Sequence, residues 1–435
     1  MLGLVDDIEV FIIGAILACS SAFIMQRTNR VFDLRHLTIP AVWYFTYFVL
    51  IFLPSFFVFI DKPSPYRYTY MAAVCSALLT VPFGVLLTTA LSSFRTKEIK
   101  AFYDLPIERP MLPNRNKLLF VAALILGIGL ICSWYYEQST PIPLFYMLAN
   151  PGSAGELAWL RDYSFKLLDS PIRYLYHLNR DFLFPLLILI ALGSYLIHRS
   201  RAWLILFLFC TLTGVVYASA NIAKSPTATI ILLMMINLYI YYNKRINFRH
   251  ILAGFVLFLS FPTFVLVVSE NSGFTLDAIF EAVTRMLWRI FYAPTWVLYY
   301  FFEVVPAHVP FLYGRGMGSI TKLVGVDYFD LGHYVGVYVL GAGGSGYSSA
   351  TAAFVAELYT DFGFPGAIIG GFILGVVMQC MNISVLRGNK SIMSVVTYTL
   401  LIYFFATLTY LQIVGALILS GLPILWLLYK SNCFR

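Results

Sequence analysis

Polar residues in this chain fall in clumps, and between the clumps run long stretches that hold almost none. Apolar runs of roughly the 20 residues that carry a helix across a hydrocarbon core cover about 10–25, 38–60, 70–92, 118–136, 182–197, 202–219, 226–243, 251–269, 365–386, 391–410 and 414–429. The pattern predicts an all-α polytopic membrane protein of about eleven transmembrane helices, a single integral membrane domain over residues 1–435. Two large extracytoplasmic loops are expected, at 137–181 and 270–362. The second reads as partly helical. Between Thr275 and Tyr300, the residues Ile279, Val283, Met286, Leu287 and Ile290 share one side of a 3.6-residue period. Glu281, Arg285 and Arg289 form another stripe at four-residue spacing. That suits a helix at the membrane surface or packed on the bundle. The apolar stretch from Trp296 to Leu312 carries Pro306, Pro310 and Glu303 and follows Pro294, so it is expected to stay interfacial instead of crossing straight. A Gly-rich turn, Gly341-Ala-Gly-Gly-Ser-Gly-Tyr347, then leads into a helix-like run from Ala350 to Asp361.

Composition excludes a soluble protein. Of 435 residues, 60% are hydrophobic and 11% charged, against about 25% charged in soluble domains; mean hydropathy is +0.81. The net charge of +8 matters less than its placement. Alternate loops hold 18 of the 29 Lys and Arg residues, which marks those loops as cytoplasmic. Simple alternation then puts the N-terminus outside and the C-terminus inside. Residues 1–9 are acidic and lack a basic leader region, so the first span is not expected to be a cleaved signal peptide. The six cysteines form no CxxC and suggest neither a disulfide framework nor a metal cluster.

The outer loops carry the candidate chemistry. Arg285 and Arg289, one helical turn apart, present two forks suited to phosphate or pyrophosphate; the alternative is an exposed pair bridged to Glu281. Arg161, Arg173 and Arg180 in the first loop form the other half of an anion site, or else contact solvent and headgroups. Lys224 opens a span after a short turn, where a helix N-terminus itself favours anions; a lysine there can also snorkel. Arg315, between Gly314 and Gly316, suits an anion clamp or a piece of a lid. The Gly341–Gly346 run reads as a mobile lid or a phosphate cradle. Aromatics at span ends, Tyr292 and Tyr347 among them, fit an interfacial belt or stacking on sugars. A general base would come from Glu357, Asp361, Asp330, His333 or Glu303. No HExxH, GxSxG, P-loop or DxD is present, so neither a metal nor another cofactor is expected.

Taken in order, Arg-xxx-Arg at 285–289, Gly314-Arg-Gly316 and Thr351-Ala-Ala-Phe-Val-Ala-Glu-Leu-Tyr-Thr-Asp-Phe-Gly-Phe-Pro-Gly366, with the basic turn Asn221-Ile-Ala-Lys-Ser-Pro226, resemble the Wzy-type O-antigen and capsule repeat-unit polymerases. The resemblance implies a metal-independent glycosyltransferase of the bacterial inner membrane, with its active site facing the periplasm. Such an enzyme moves a growing glycan from one undecaprenyl pyrophosphate onto the sugar of the next lipid-linked repeat unit. It needs no cofactor and no nucleic acid; its partners are the lipid-linked glycans, membrane lipid and a chain-length regulator protein. The essential outer-loop arginines of that family correspond here to Arg161, Arg173, Arg180, Arg285, Arg289 and Arg315, and by position to Lys224. Arg289 and Arg285 would be catalytic, with Glu357 and His333 as acid–base groups. Two rivals are an O-antigen ligase and a lipid-linked oligosaccharide flippase. The ligases use a His in a His-Asn-like setting that His308 and His333 lack. A transporter should place charges inside its spans, and here nearly all lie in loops.

Overall fold

The computed structural model describes residues 2–108, 123–132, 134, 141–152, 156–157, 160, 170–222, 224–243, 248–270, 275–318, 321, 325–339, 341, 350–413, 416–417 and 421–430. It is 80% helical, with no strand among the described residues. The helices in chain order are α1 (Leu2–Asn29), α2 (Ile39–Tyr47), α3 (Leu53–Asp61), α4 (Tyr66–Leu91), α5 (Thr96–Asp104), α6 (Ala123–Cys132), α7 (Pro143–Ala149), α8 (Ser170–Leu178), α9 (Phe184–His198), α10 (Arg201–Ser219), α11 (Lys224–Tyr242), α12 (Phe248–Glu270), α13 (Leu276–Phe291), α14 (Ala293–Val304), α15 (Leu331–Tyr334), α16 (Phe354–Leu386), α17 (Ile392–Thr407) and α18 (Leu422–Lys430). Widened π turns join α2 to α3 at Phe48–Phe52 and α8 to α9 at Asn179–Leu183, and a third, Val335–Val339, follows α15.

Eight helical stretches are long and apolar enough to cross a membrane: Asp7–Asn29, Ile39–Asp61, Tyr66–Leu91, Leu175–His198, Arg201–Ser219, Ser225–Tyr242, Leu252–Glu270 and Phe354–Leu386. This is a multi-pass α-helical membrane protein. The three other expected spans coincide with α6, α17 and α18, which are shorter within the described residues. One boundary moves. The span expected to begin at 182 begins at Leu175, because the adjacent charges Arg180 and Asp181 neutralise each other inside the helix instead of ending it.

Short-range chemistry sets several boundaries. Thr38 caps α2, its hydroxyl accepting from Ala41 N with Pro40 in the first turn. Arg199 closes α9 in a left-handed conformation, and Ser200 caps α10 by accepting from Trp203 N. α14 has only 12 residues, about 18 Å of helix, against a hydrocarbon core of about 30 Å; alone it is too short to cross.

The chain forms two compact units. The first comprises Met1–Asp104, Trp288–Gly388 and Leu401–Ala416. Its spine is α16 running parallel to α4, with Gly371 against Thr80, Gly375 against Val81 and Gln379 bonded to Thr89. The approach is backbone to backbone: a Cβ on Gly84 would lie 2.2 Å from Phe372 O, and one on Gly375 would lie 2.1 Å from Val81 O. Such small-residue seams gain dispersion contact where lipid offers no hydrophobic drive. Toward one end, Asn382 donates to Asn29 Oδ1 (3.3 Å) and accepts from Ile39 N (3.3 Å), tying α16 to α1 and α2. At the same end Arg387 donates to Glu98 (2.7 Å) and to Ser92 O (3.0 Å), and Tyr103 donates to Leu37 O (2.7 Å). The basic turns around residues 27–35, 95–100 and 387 therefore share one face, as the charge pattern expects.

The second unit comprises Leu105–Leu287, Asn389–Leu400 and Leu417–Arg435. α9 is its most enclosed helix; Phe184, Leu187 and Ile188 pack with Tyr176, Tyr217 and Ile230. Asn237 on α11 donates to Thr399 of α17 (3.3 Å), a bond between two side chains buried in apolar surroundings. α13 and α17 are each divided between the units.

Candidate functional site

α16 is two helices joined at a break. Gly363 has φ 68 and ψ −160, a region open essentially to glycine alone, and Pro365 starts the second segment with the φ a first helical turn requires. Residues 364–386 measure about 34 Å as a helix, enough to cross the hydrocarbon without the first segment. The sequence reading separated the same two pieces, 350–361 and 365–386.

Asp361 sits at the end of the first segment with 0% exposure. Its Oδ1 accepts from Gly314 N (2.9 Å) and Gly316 N (3.1 Å). Leu312 N donates to Thr360 O (3.0 Å) and Tyr313 N to Asp361 O (2.9 Å). The turn expected to act as a clamp or lid is thus laced to the helix break. Gly314 has φ +89, and a Cβ on Gly316 would lie 3.0 Å from Asp361 Oδ2. The two glycines let the main chain approach the carboxylate, and their N–H groups are turned inward onto it. The residue between them faces the other way: Arg315 is exposed. Its Nε donates to Asp327 O (3.3 Å), and its main-chain carbonyl accepts from Phe329 N (3.0 Å). Its two terminal nitrogens make no bond or ion pair among the described residues.

An acidic and aromatic cluster follows in the same unit. Asp330 caps α15 by accepting from His333 N (2.8 Å), which fixes the half-buried His333 near the start of the π turn Val335–Val339. Burial pushes the Tyr328 hydroxyl up to about 12, and the nearby Asp330 and Glu357 carboxylates add to the shift. Glu357 is 4% exposed, and its Oε2 accepts from Ile413 N. Of the proposed acid–base groups, Glu357 and Asp361 therefore hold backbone donors in the interior, while His333 and Asp330 lie nearer solvent. Tyr328 had no signal in the sequence; only its neighbourhood singles it out.

The remaining candidates divide by what occupies them. Arg285 is exposed and bridges Glu270 (2.7 Å) and Glu281; these bonds, the one to Glu281 first, hold its guanidinium above the usual range. The geometry matches the alternative of an exposed bridged pair. Arg289, one turn on, is exposed with no partner among the described residues. Tyr292 donates to Asp61 Oδ2 (3.1 Å) at the junction of α13 and α14; burial first, then that bond, raises its hydroxyl. Beside it Lys62 donates to Tyr300 (2.9 Å) and lies over the Trp296 ring (5.3 Å).

In the second unit Arg180 is bound to its neighbour Asp181 through two nitrogens (2.7 and 2.8 Å) and faces His177 Nδ1 at 3.1 Å. Arg180 is thus a half-buried charge compensated by Asp181, inside a helix long and apolar enough to span, and not a loop residue. Arg173 is half-buried on α8. Lys224 is the first residue of α11, as the short-turn reading expects. Arg161 and Tyr347 lie outside the described residues, as does most of the Gly341–Gly346 run. Arg289, Tyr292, Arg315, His333 and Glu357 belong to the first unit; Arg173, Arg180, Lys224 and Arg285 belong to the second. Among the described residues no group of His, Cys, Asp or Glu could hold a metal ion. Comparison with known protein families, with curated proteins and with solved structures finds no match to this chain.

Proposed function

We propose that the protein is a lipid-linked glycosyltransferase of the Wzy polymerase type, extending a glycan held on undecaprenyl pyrophosphate by one repeat unit per transfer. The observation that carries this reading is Arg315. Its turn is anchored at the break of a membrane helix, and its terminal nitrogens have no partner among the described residues. Cleaving a sugar–pyrophosphate bond leaves negative charge on the leaving group, and a fixed guanidinium stabilises that charge without a metal. Arg289, also without a partner among the described residues and in the same unit, supplies a second positive group. A lipid boundary weakens screening and strengthens both. The sequence resemblance supplies the substrate class, and the eight apolar helices supply the membrane setting.

The test is the glycan phenotype of a deletion strain complemented with the wild-type or the Arg315→Ala chain. We expect the deletion to leave lipid A core capped with a single repeat unit. Wild type should restore a ladder of lengths, and Arg315→Ala should reduce elongation about 100-fold, the loss typical of removing one charge-stabilising donor. Uncapped core in the deletion strain would indicate a ligase. An unchanged ladder would remove the reading.

A further inference from the structure

We propose that Asp361 is the positioning residue for Arg315, its carboxylate holding the Gly314–Gly316 turn so that the Arg315 fork meets the phosphate oxygens of the lipid-linked pyrophosphate. This rests on the transferase reading above and adds to it how the cation is placed.

A carboxylate with no solvent exposure, on a helix otherwise suited to lipid, is costly unless its oxygens are bonded. Asp361 offsets part of that cost with two N–H groups of one turn, both on Oδ1. The cation of the same turn does not pair with it: no ion pair joins Arg315 to Asp361. Oδ1 is therefore held by dipoles alone, Oδ2 has no hydrogen-bond partner among the described residues, and the guanidinium keeps its charge for another anion. Had Arg315 bridged to Asp361, the fork would be closed in the way that Glu270 and Glu281 close Arg285.

Each end of the arginine is fixed separately. The main chain is fixed by Asp361 below and by Phe329 N above; the side chain is fixed at Nε by Asp327 O. What remains unbonded among the described residues is the pair of terminal nitrogens, the part that forms two parallel bonds to a phosphate. A donor held in place before the substrate arrives needs no reorganisation in the transition state. Asp361 is buried beneath the turn and does not reach the substrate, so it acts through Arg315 and not beside it.

The spacing in sequence agrees. Gly-Arg-Gly puts two side-chain-free N–H groups on one side of a turn and one long cation on the other. The oxygen they share lies 45 positions further on, one residue before the end of the outer segment of α16.

The experiment uses the full-length protein in its native membrane and, for one arm, purified in detergent. Asp361→Asn keeps an oxygen at the Oδ1 position, whereas Asp361→Ala removes it. Gly316→Ala disturbs the same contact from the turn. In the complemented deletion strain, at matched membrane levels, we expect Asp361→Asn to elongate within about threefold of wild type and Asp361→Ala to fall about 100-fold. The double variant Asp361→Ala/Arg315→Ala should be no worse than Arg315→Ala alone, the non-additivity of residues that act as one unit. In the purified protein, a spin label on a cysteine replacing the exposed Tyr313 should be immobile in wild type and Asp361→Asn, and mobile in Asp361→Ala and Gly316→Ala. Additive losses in the double variant would overturn the proposal, as would unchanged label mobility in both loosening variants. If the wild-type chain elongates no lipid-linked glycan, the transferase reading falls, and label mobility alone decides whether Asp361 holds the turn. If Asp361→Ala does not accumulate, Gly316→Ala takes its place in both arms.

Discussion

An arginine serves an anionic substrate only while its terminal nitrogens are unoccupied. By that criterion the arginines here are not equivalent. Arg285 is closed by Glu270 and Glu281, and Arg180 by Asp181, while Arg315 and Arg289 are open among the described residues. Arg285→Ala should leave glycan length within about threefold of wild type, since an exposed bridged pair contributes little, whereas Arg315→Ala should not; gel ladders of the two variants side by side make the comparison. Glu98 offers a residue-scale test by pH. The hydrogen bond from Arg387 holds its carboxyl below the ordinary value of 4.5. A lowered carboxylate adds stability that is fully present above the unfolded value and is lost as pH falls through the folded one. The difference in melting temperature between wild type and Arg387→Ala should therefore be constant from pH 7 to about 5, then shrink and vanish on further acidification. The pair is partly exposed, so the difference corresponds to no more than about 1 kcal/mol. A gap that persists in strong acid would mean that Arg387 acts through its bond to Ser92 O instead.

At the scale of elements, the apolar pattern carries most of what the helices need. The run 226–243 matches a span at Ser225–Tyr242, and 202–219 matches one at Arg201–Ser219. It misplaced the start of the span that ends in α9, because two adjacent opposite charges look like loop but fold as one dipole, and no periodicity announces the π turn that holds them. The site was legible in parts. Gly-Arg-Gly stood out, and Asp361 was named as a candidate base, but nothing local connects them. Their contact spans 45 positions, which a one-dimensional pattern does not encode. The break in α16 gives its own prediction. Gly363→Ala forces a side chain into a conformation that costs about 1–3 kcal/mol. It should lower the melting temperature and loosen the 312–316 turn together, as read by the Tyr313 label. Gly375→Val tests the other end of the same helix. A Cβ 2.1 Å from Val81 O cannot be accommodated without separating α4 from α16, so the variant should fail to give a monodisperse peak in detergent.

For the whole molecule, the first unit already orders its faces. The Arg387–Glu98 and Tyr103–Leu37 bonds gather three basic turns at one end, while α4 and α16 both start from the other. Labelling of introduced cysteines in intact cells should follow. Positions 97 and 387 should be protected from an impermeant maleimide, and position 313 should react. Reaction at 97 together with protection at 313 would invert the orientation and put the proposed site on the cytoplasmic side, where the periplasmic transferase reading has no place.

The glycine seam has a consequence for how such a chain changes over generations. Positions 84 and 375 admit no larger residue without parting two backbones, and a Cβ at 371 would displace the Thr80 side chain, whereas the neighbouring Ile368, Ile369 and Ile373 are outward-facing and can drift among apolar types. Diverging copies of this gene product should therefore keep three small fixed points in an otherwise fluid stretch. A lineage that replaced one of them would need a compensating truncation on the facing helix.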